Sequence, residues 1–323
     1  MLLYRQLAIS GSFARYYGYL NFLDYYSFLS DLEQLMQEHP EEVVSRLEHV
    51  QQFFANRSGA IAAAAGSEAS LELNRPLADA FMAGLEDVSR EPAVYDLPLP
   101  ARKEGLIVDT NIQFNMVASF WKEIDPEADG TAYAALGQLV TDQLLFPVLR
   151  DQMGAYGAYC ESDEDMFYLF TYRDPNVAET FAYFDILPDA VNALNMDQET
   201  VDRYIISTYS GLAKPDGEIT GAVQALNDRI SGAPDDLKLR SMRALKSATP
   251  ETLKTFAAYI GILLNTDIRG TAGSASVVNA NAALYETVLN PFNAQDMSAV
   301  AFDDVPEDHG QSRDRSRRGK EDE

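Results

Sequence analysis

Cysteine and histidine are nearly missing from this 323-residue chain, which has one cysteine, Cys160, and three histidines, His39, His49 and His309. A lone cysteine excludes an intrachain disulfide and any cysteine-rich metal site, and three histidines are too few for a histidine-rich metal centre within the chain. Positive charge is scarce too: Lys and Arg total 25 against 50 Asp and Glu, a formal net charge of −25. Such a surface repels phosphate backbones and anionic headgroups, so neither nucleic acid nor a membrane is an expected partner. No apolar run reaches the ~18 residues that span a bilayer. The N-terminal MLLYRQLAISGSFARYYGYL does not read as a signal peptide, because Arg5 and Arg15 interrupt what should be its apolar core. A cytoplasmic location is the expectation. The amphipathic pattern starts at once, as in a chain that begins inside a larger architecture.

The residues present are those of a globular protein: 46% are hydrophobic and 23% charged, which argues against a disordered chain. At roughly 150 residues per domain, the length predicts about two domains. Residues 1–90 read as mostly helical. Phe28, Leu32, Leu35 and Met36 share one helical face, Pro40 suits a first helical position, and Val43, Leu47, Val50 and Phe54 form an apolar stripe. Gly59–Ser67 reads either as a buried strand or as a close-packed turn. Leu77–Leu85 is expected to be a short helix. Residues 91–104, with Pro92, Pro98 and Pro100, make the best domain linker in the chain.

The remainder alternates strands and helices. Ile112, Phe114 and Met116 alternate with polar Asn111, Gln113 and Asn115, as in a half-buried strand. Leu136, Val140, Leu144 and Val148 recur every four residues, predicting a helix to about Arg150, bent near its end by Pro147. Ala155–Cys160 and Met166–Tyr172 read as strands joined by an acidic hairpin loop. A turn at Asp174-Pro175-Asn176 leads into a helix buried through Val177, Phe181 and Phe184. Another helix carries Val201, Tyr204, Ile205 and Thr208. Thr249-Pro250-Glu251 starts a helix that buries Leu253, Phe256, Ile260 and Leu263. Ser274–Val278 is expected as a late strand and Asn281–Leu289 as a last helix. The arginine-containing tail from Glu307 reads as solvated and disordered.

Complete catalytic sets are missing: there is no GxGxxG, no Walker-type loop and no GxSxG. Cys160 reads as a buried structural thiol, and His39 and His49 as surface or capping residues. One segment stands apart, Arg150 to Gly157, read RDQMGAYG. It joins a helix end to a strand, and Gly154 and Gly157 allow a tight corner. Arg150 offers permanently charged planar donors and Tyr156 a neutral hydroxyl, which together could hold a carbonyl oxygen as negative charge develops on it. The plainer alternative is that Arg150 complements the helix dipole and Tyr156 packs in the sheet.

The RDQMGAYG segment resembles the C-terminal half of the zinc peptidases of the pitrilysin, insulysin and presequence-protease superfamily, closest to the presequence-protease branch. The turn Tyr172-Arg173-Asp174-Pro175 stands at the distance this resemblance requires. Gly18–Leu23 and Tyr26–Leu32 are similar to the branch's preceding helical segment. The resemblance covers about residues 10–290. It implies an α+β fold of two metallopeptidase-like domains. The first, over 1–95, is mostly helical and truncated. The second, over 96–305, is an open, largely antiparallel sheet flanked by helices and carries the Arg/Tyr segment; a disordered tail spans 306–323.

The resemblance also implies a function. Arg150 and Tyr156 would be the catalytic contribution of a non-zinc half, with Gly154, Ala155 and Arg173 binding substrate. No HxxEH motif occurs in the chain. Zinc is therefore expected in an N-terminal or partner half and none in this chain. The implied partners are unfolded peptide substrates and that zinc-bearing half, and the implied activity is peptide degradation by a metalloendopeptidase, this chain being inactive alone. The alternative is a non-catalytic peptide-binding or scaffold subunit with a degenerate peptidase fold.

Overall fold

The computed structural model describes residues 1–88, 95–108, 113–215 and 217–291. Among these residues, six strands form one sheet: β1 Lys103–Ile107, β2 Phe114–Phe120, β3 Gly157–Ser162, β4 Met166–Tyr172, β5 Arg269–Gly273 and β6 Thr287–Leu289, in the order β3-β4-β2-β5-β1-β6. The pairings β3–β4, β4–β2 and β2–β5 are antiparallel, while β5–β1 and β1–β6 are parallel. The fold is thus α+β with a largely antiparallel sheet. No helix among the described residues is long and apolar enough to cross a membrane.

The main core lies on one face of this sheet. There Val117, Ala158, Cys160, Phe167 and Leu169 meet helices α7 (Ala134–Val140), α8 (Ala178–Ala193), α9 (Gln198–Leu212) and α12 (Pro250–Asn265). The alternation of MFYLFTY in β4 explains the division of faces. Phe167, Leu169 and Thr171 are buried toward the helices, and Met166, Tyr168, Phe170 and Tyr172 are half-buried on the other side. α12 starts as its sequence predicts: Thr249 and Thr252 form a reciprocal capping box, Pro250 stands in the first turn, and Leu253, Phe256, Ile260 and Leu263 are buried.

The opposite face is covered by the N-terminal helices α1 (Leu2–Leu7), α2 (Ser12–Tyr19) and α3 (Phe22–Glu38). Leu2 and Leu23 pack on Leu106 and Ala272, and Leu7 and Ala14 pack on Ala118. A two-pronged contact from Arg5 to Glu104 of β1, at 2.7 Å for both bonds, anchors α1 there. Helix α4 (Pro40–Phe54) forms as expected, with Pro40 in its first turn, whereas α5 (Glu68–Gly84) is longer than the short helix expected over Leu77–Leu85, because Ser67 caps it well upstream by accepting the Ser70 N–H. Their apolar stripes have no cover among the described residues: Leu47 is 62% and Phe54 74% exposed.

The remaining helices are α6 (Trp121–Ile124), α10 (Glu218–Ser231), α11 (Leu237–Leu245) and α13 (Ala275–Ala280). Several sequence expectations are corrected. Residues 61–66 are neither strand nor close-packed turn but exposed irregular chain, because no element among the described residues lies over them to bury their small side chains. Ser274–Val278 is not a strand: Ser274 caps α13 by accepting the Val277 N–H. Asn281–Leu289 is a short 3₁₀ turn, Ala282–Leu284, followed by β6, which pairs with β1. The linker reading ends early, since Lys103 and Glu104 belong to β1 and Leu97 is already buried. Residues 91–94, Asn111, Ile112, His309 and the tail 306–323 lie outside the described residues.

The period-four stripe is helical but turns differently from its prediction. After α7 the chain continues as a π-helix, Thr141–Arg150, whose buried residues are Thr141, Leu145 and Leu149, not Leu144 and Val148. Wider turns rotate the buried face by one position. π-Segments are rare and concentrate at functional sites.

Candidate functional site

The π-helix delivers Arg150 to a corner. The bonds Asp151 N–H to Phe146 O (2.9 Å) and Met153 N–H to Val148 O (2.9 Å) keep the wide winding to its end. Gly154 then terminates it at φ +86°, the left-handed region where a side chain is strained, and its N–H donates to Arg150 O at 3.1 Å. Gly154→Ala is expected to lower stability by about 1–2 kcal/mol through that backbone cost, read as a shift in the urea midpoint. Ala155 is buried and its N–H donates to Leu149 O at 2.8 Å. Tyr156 then emerges 60% exposed, just before β3 begins.

Neither Arg150 nor Tyr156 is sealed in packing. Arg150 is exposed, has no carboxylate partner among the described residues, and lies over the Phe146 ring at 5.1 Å. The Tyr156 N–H reaches Tyr172 O at 3.1 Å and Arg173 O at 3.3 Å, and its ring meets Tyr172 edge-on at 5.6 Å. Arg173, also exposed, takes the left-handed region at φ 52° and sets its guanidinium 5.5 Å from the Tyr156 ring and 5.3 Å from the Tyr172 ring. Two arginines without ion pairs among the described residues thus accompany one exposed phenol in a chain of net charge −25. Of the five residues singled out from sequence, Arg150, Tyr156 and Arg173 offer exposed donor side chains. Gly154 and Ala155 build the corner, and both their amides are engaged within it.

The sheet face beside the corner is aromatic. Tyr172 contacts Phe114 at 5.3 Å, Tyr159 stacks on Phe170 at 4.8 Å, and Tyr168 follows at 5.9 Å from Phe170. Burial, and then the Glu161 and Asp163 carboxylates, push the Tyr168 phenol up to about 12, so it stays protonated. The edge of β3 is closed by the helix beside it. Thr141 Oγ1 accepts the Cys160 N–H at 2.9 Å, and a Cβ on Gly137 would stand 2.6 Å from the Cys160 carbonyl oxygen.

A buried polar cluster that sequence periodicity did not reveal lies under the corner. Asn115, expected on the exposed side of its strand, is fully buried with Thr171, Asp174, Thr180 and Thr271, while Phe114 and Met116 are half-buried. The alternation was correct and its orientation reversed. Asn115 can face the core because Asp174, Thr171 and Thr271 satisfy its amide. The only available signal was the Asp174-Pro175-Asn176 turn, whose Asp174 side chain accepts the Asn176 N–H at 2.9 Å.

Cys160 is buried, and burial drives its thiol well above its ordinary pKa. It should stay unlabelled by Ellman's reagent in the native state and react once the chain is unfolded in guanidinium. His39 stands exposed between α3 and α4. Among the described residues, no group of three or more His, Cys, Asp or Glu could hold a metal ion. The side chains of the described residues therefore do not make a zinc site.

The corner lies inside a recognised family segment: residues 103–269 match the PreP C-terminal domain family. The chain belongs to that family. Its curated relatives include presequence proteases. Presequence protease 1, chloroplastic/mitochondrial, of Arabidopsis thaliana is 26% identical over 277 residues, covering 85% of this chain and 25% of that protein. Protein HypA of Clostridium perfringens is 24% identical over 268 residues, covering 82% and 27%. The chain thus spans about a quarter of the length of these relatives. Among solved structures, a peptidase M16 inactive domain from Pseudomonas fluorescens gives a TM-score of 0.43 at 16% identity, covering 65% of this chain and 52% of that one.

Proposed function

We propose that this chain is the C-terminal, non-zinc half of a peptide-degrading metalloendopeptidase, completed by a zinc-bearing N-terminal half or partner chain and inactive without it. The observation that carries the reading is the corner itself. Arg150 and Tyr156 project into solvent, with no carboxylate partner among the described residues, from a backbone that Gly154 turns and that the Gly154, Ala155 and Tyr156 N–H bonds hold. In this reading both donate hydrogen bonds to a peptide carbonyl oxygen as negative charge builds on it, and Arg173 with the aromatic face holds the peptide beside them. An Arg guanidinium keeps its charge throughout, and the Tyr hydroxyl donates without adding charge.

Metal chemistry belongs, on this reading, to the zinc-bearing half. The surface charge of −25 favours basic, unfolded peptides, and the bare apolar stripes of α4 and α5 favour a covering partner. The division into a partial helical unit, 1–95, and an α+β unit, 96–305, and a cytoplasmic location belong to the same proposal. The test is to mix the chain with a zinc-bearing half and follow cleavage of an unstructured basic peptide. Cleavage that needs both components supports the reading. Peptide binding without cleavage in any pairing favours the scaffold alternative.

A further inference from the structure

We propose that Asn176 is a positioning residue for Tyr156, acting through the Met153 carbonyl and held by the buried Asn115–Asp174–Thr180 cluster. The inference rests on the reading of Arg150 and Tyr156 as the peptide-contacting pair. Asn176 Nδ2 donates to Met153 O at 2.7 Å, across 23 residues of sequence. That bond ties the start of the corner to the turn after β4. The bonds from the Tyr156 N–H to the Tyr172 and Arg173 carbonyls tie its end to the same turn. The segment 153–156 is thus clamped at both ends, and Gly154, the residue with most backbone freedom, lies between the clamps.

Asn176 is itself fixed. Its N–H donates to Asp174 Oδ1 at 2.9 Å and its carbonyl accepts from Asn115 Nδ2 at 3.0 Å. Asp174 Oδ2 accepts from Thr180 Oγ1 at 2.6 Å and from Asn115 Nδ2 at 3.1 Å, and Thr271 Oγ1 donates to Asn115 Oδ1 at 2.8 Å. The Asp174 N–H donates to Gln113 O at 3.0 Å. Strands β2 and β5, helix α8 and the turn therefore meet in one bonded set. Leaving any buried member unpaired is costly, so the set tolerates one arrangement and hands that arrangement to Asn176. An apolar cluster of equal volume would hold the elements together without specifying where the amide points.

The decisive feature is the amide donor, which separates this role from space-filling. Hydrogen exchange on the full chain compares the wild type with Asn176→Ala and the isosteric Asn176→Asp, which keeps the shape and loses the donor. Both variants should speed exchange at the Ala155 and Tyr156 amides about tenfold, with the amides of α12 unchanged as the reference for global stability. Unchanged exchange at the corner, wild-type behaviour of the Asp variant, or equal acceleration in α12 would overturn the proposal. Paired with a zinc-bearing half on an unstructured basic peptide, Asn176→Ala should lower kcat more than it raises KM. An unchanged kcat beside a loosened corner also counts against it. If the corner loosens and Tyr156→Phe leaves cleavage intact, it is the functional reading that fails. If Tyr156→Phe abolishes cleavage while Asn176→Ala changes neither exchange nor kcat, only the positioning role fails.

Discussion

Arg150→Ala and Tyr156→Phe should each lower kcat for peptide cleavage by about 10²–10³-fold when the chain works with a zinc-bearing half, the usual cost of removing one donor from a developing oxyanion. The prediction is specific because neither side chain carries the fold. Tyr156 is 60% exposed, and the packing of Arg150 on Phe146 is a surface cation–π contact. Losing that contact costs about 0.5–1 kcal/mol, so the melting temperature of either variant should stay within a few degrees of the wild type. Tyr156→Phe keeps the ring and its edge contact with Tyr172 and deletes only the hydroxyl. On the proposed reading both donors serve one oxygen, so the double variant should lose less than the product of the two single losses. Steady-state kinetics with thermal unfolding of the same samples decides the matter. Full kcat in either variant would remove that residue from the proposed role.

The largest effect on stability is expected from Phe256→Ala, a loss of about 3–5 kcal/mol. Phe256 is fully buried in α12, 5.2 Å from the Phe167 ring and 5.5 Å from the Tyr133 ring. Trp121 stacks on the same two rings at 5.1 and 5.2 Å. Removing Phe256 therefore opens a cavity between the sheet and α12 that this rigid stack cannot close. Against a typical total of about 5–15 kcal/mol, the loss is large. It should appear as a fall in the urea midpoint and a melting temperature lower by roughly 6–20 °C. Trp121 is the only tryptophan, so its fluorescence reports this region without labelling. A midpoint within experimental error of the wild type would show that the stack does not hold α12.

How much of this was legible depended on range. The Thr249-Pro250 start of α12, strand β4 and the helix after Asp174-Pro175-Asn176 are encoded by adjacent residues and formed where their local signals stood, while β3 lies two residues later than expected, at Gly157–Ser162, because Ala155 and Tyr156 are taken into the corner. Strands β5 and β6 were missed because they are short and take their place from pairing with β1, more than 150 residues away in sequence. Neither has enough alternation of its own to announce a strand. The π-helix was hidden for a related reason. A four-residue spacing suits either winding, and the choice falls to Thr141 meeting Cys160 and to Leu145 and Leu149 meeting the core.

The sequence by itself determined the acidic character of the chain, its scarcity of cysteine and histidine, and the RDQMGAYG and YRDP segments that lie inside the matched family range, because each is a property of composition or of neighbouring residues. Only the tertiary structure decided that Arg150 and Tyr156 stand exposed on a bonded corner, that Asn115 points inward, and that the apolar faces of α4 and α5 have no cover among the described residues. Those outcomes depend on which distant elements meet. An asparagine in an alternating strand reads as solvent-facing until β5, α8 and the turn after β4 supply its partners, and an apolar helical stripe reads as buried until no neighbour arrives to cover it.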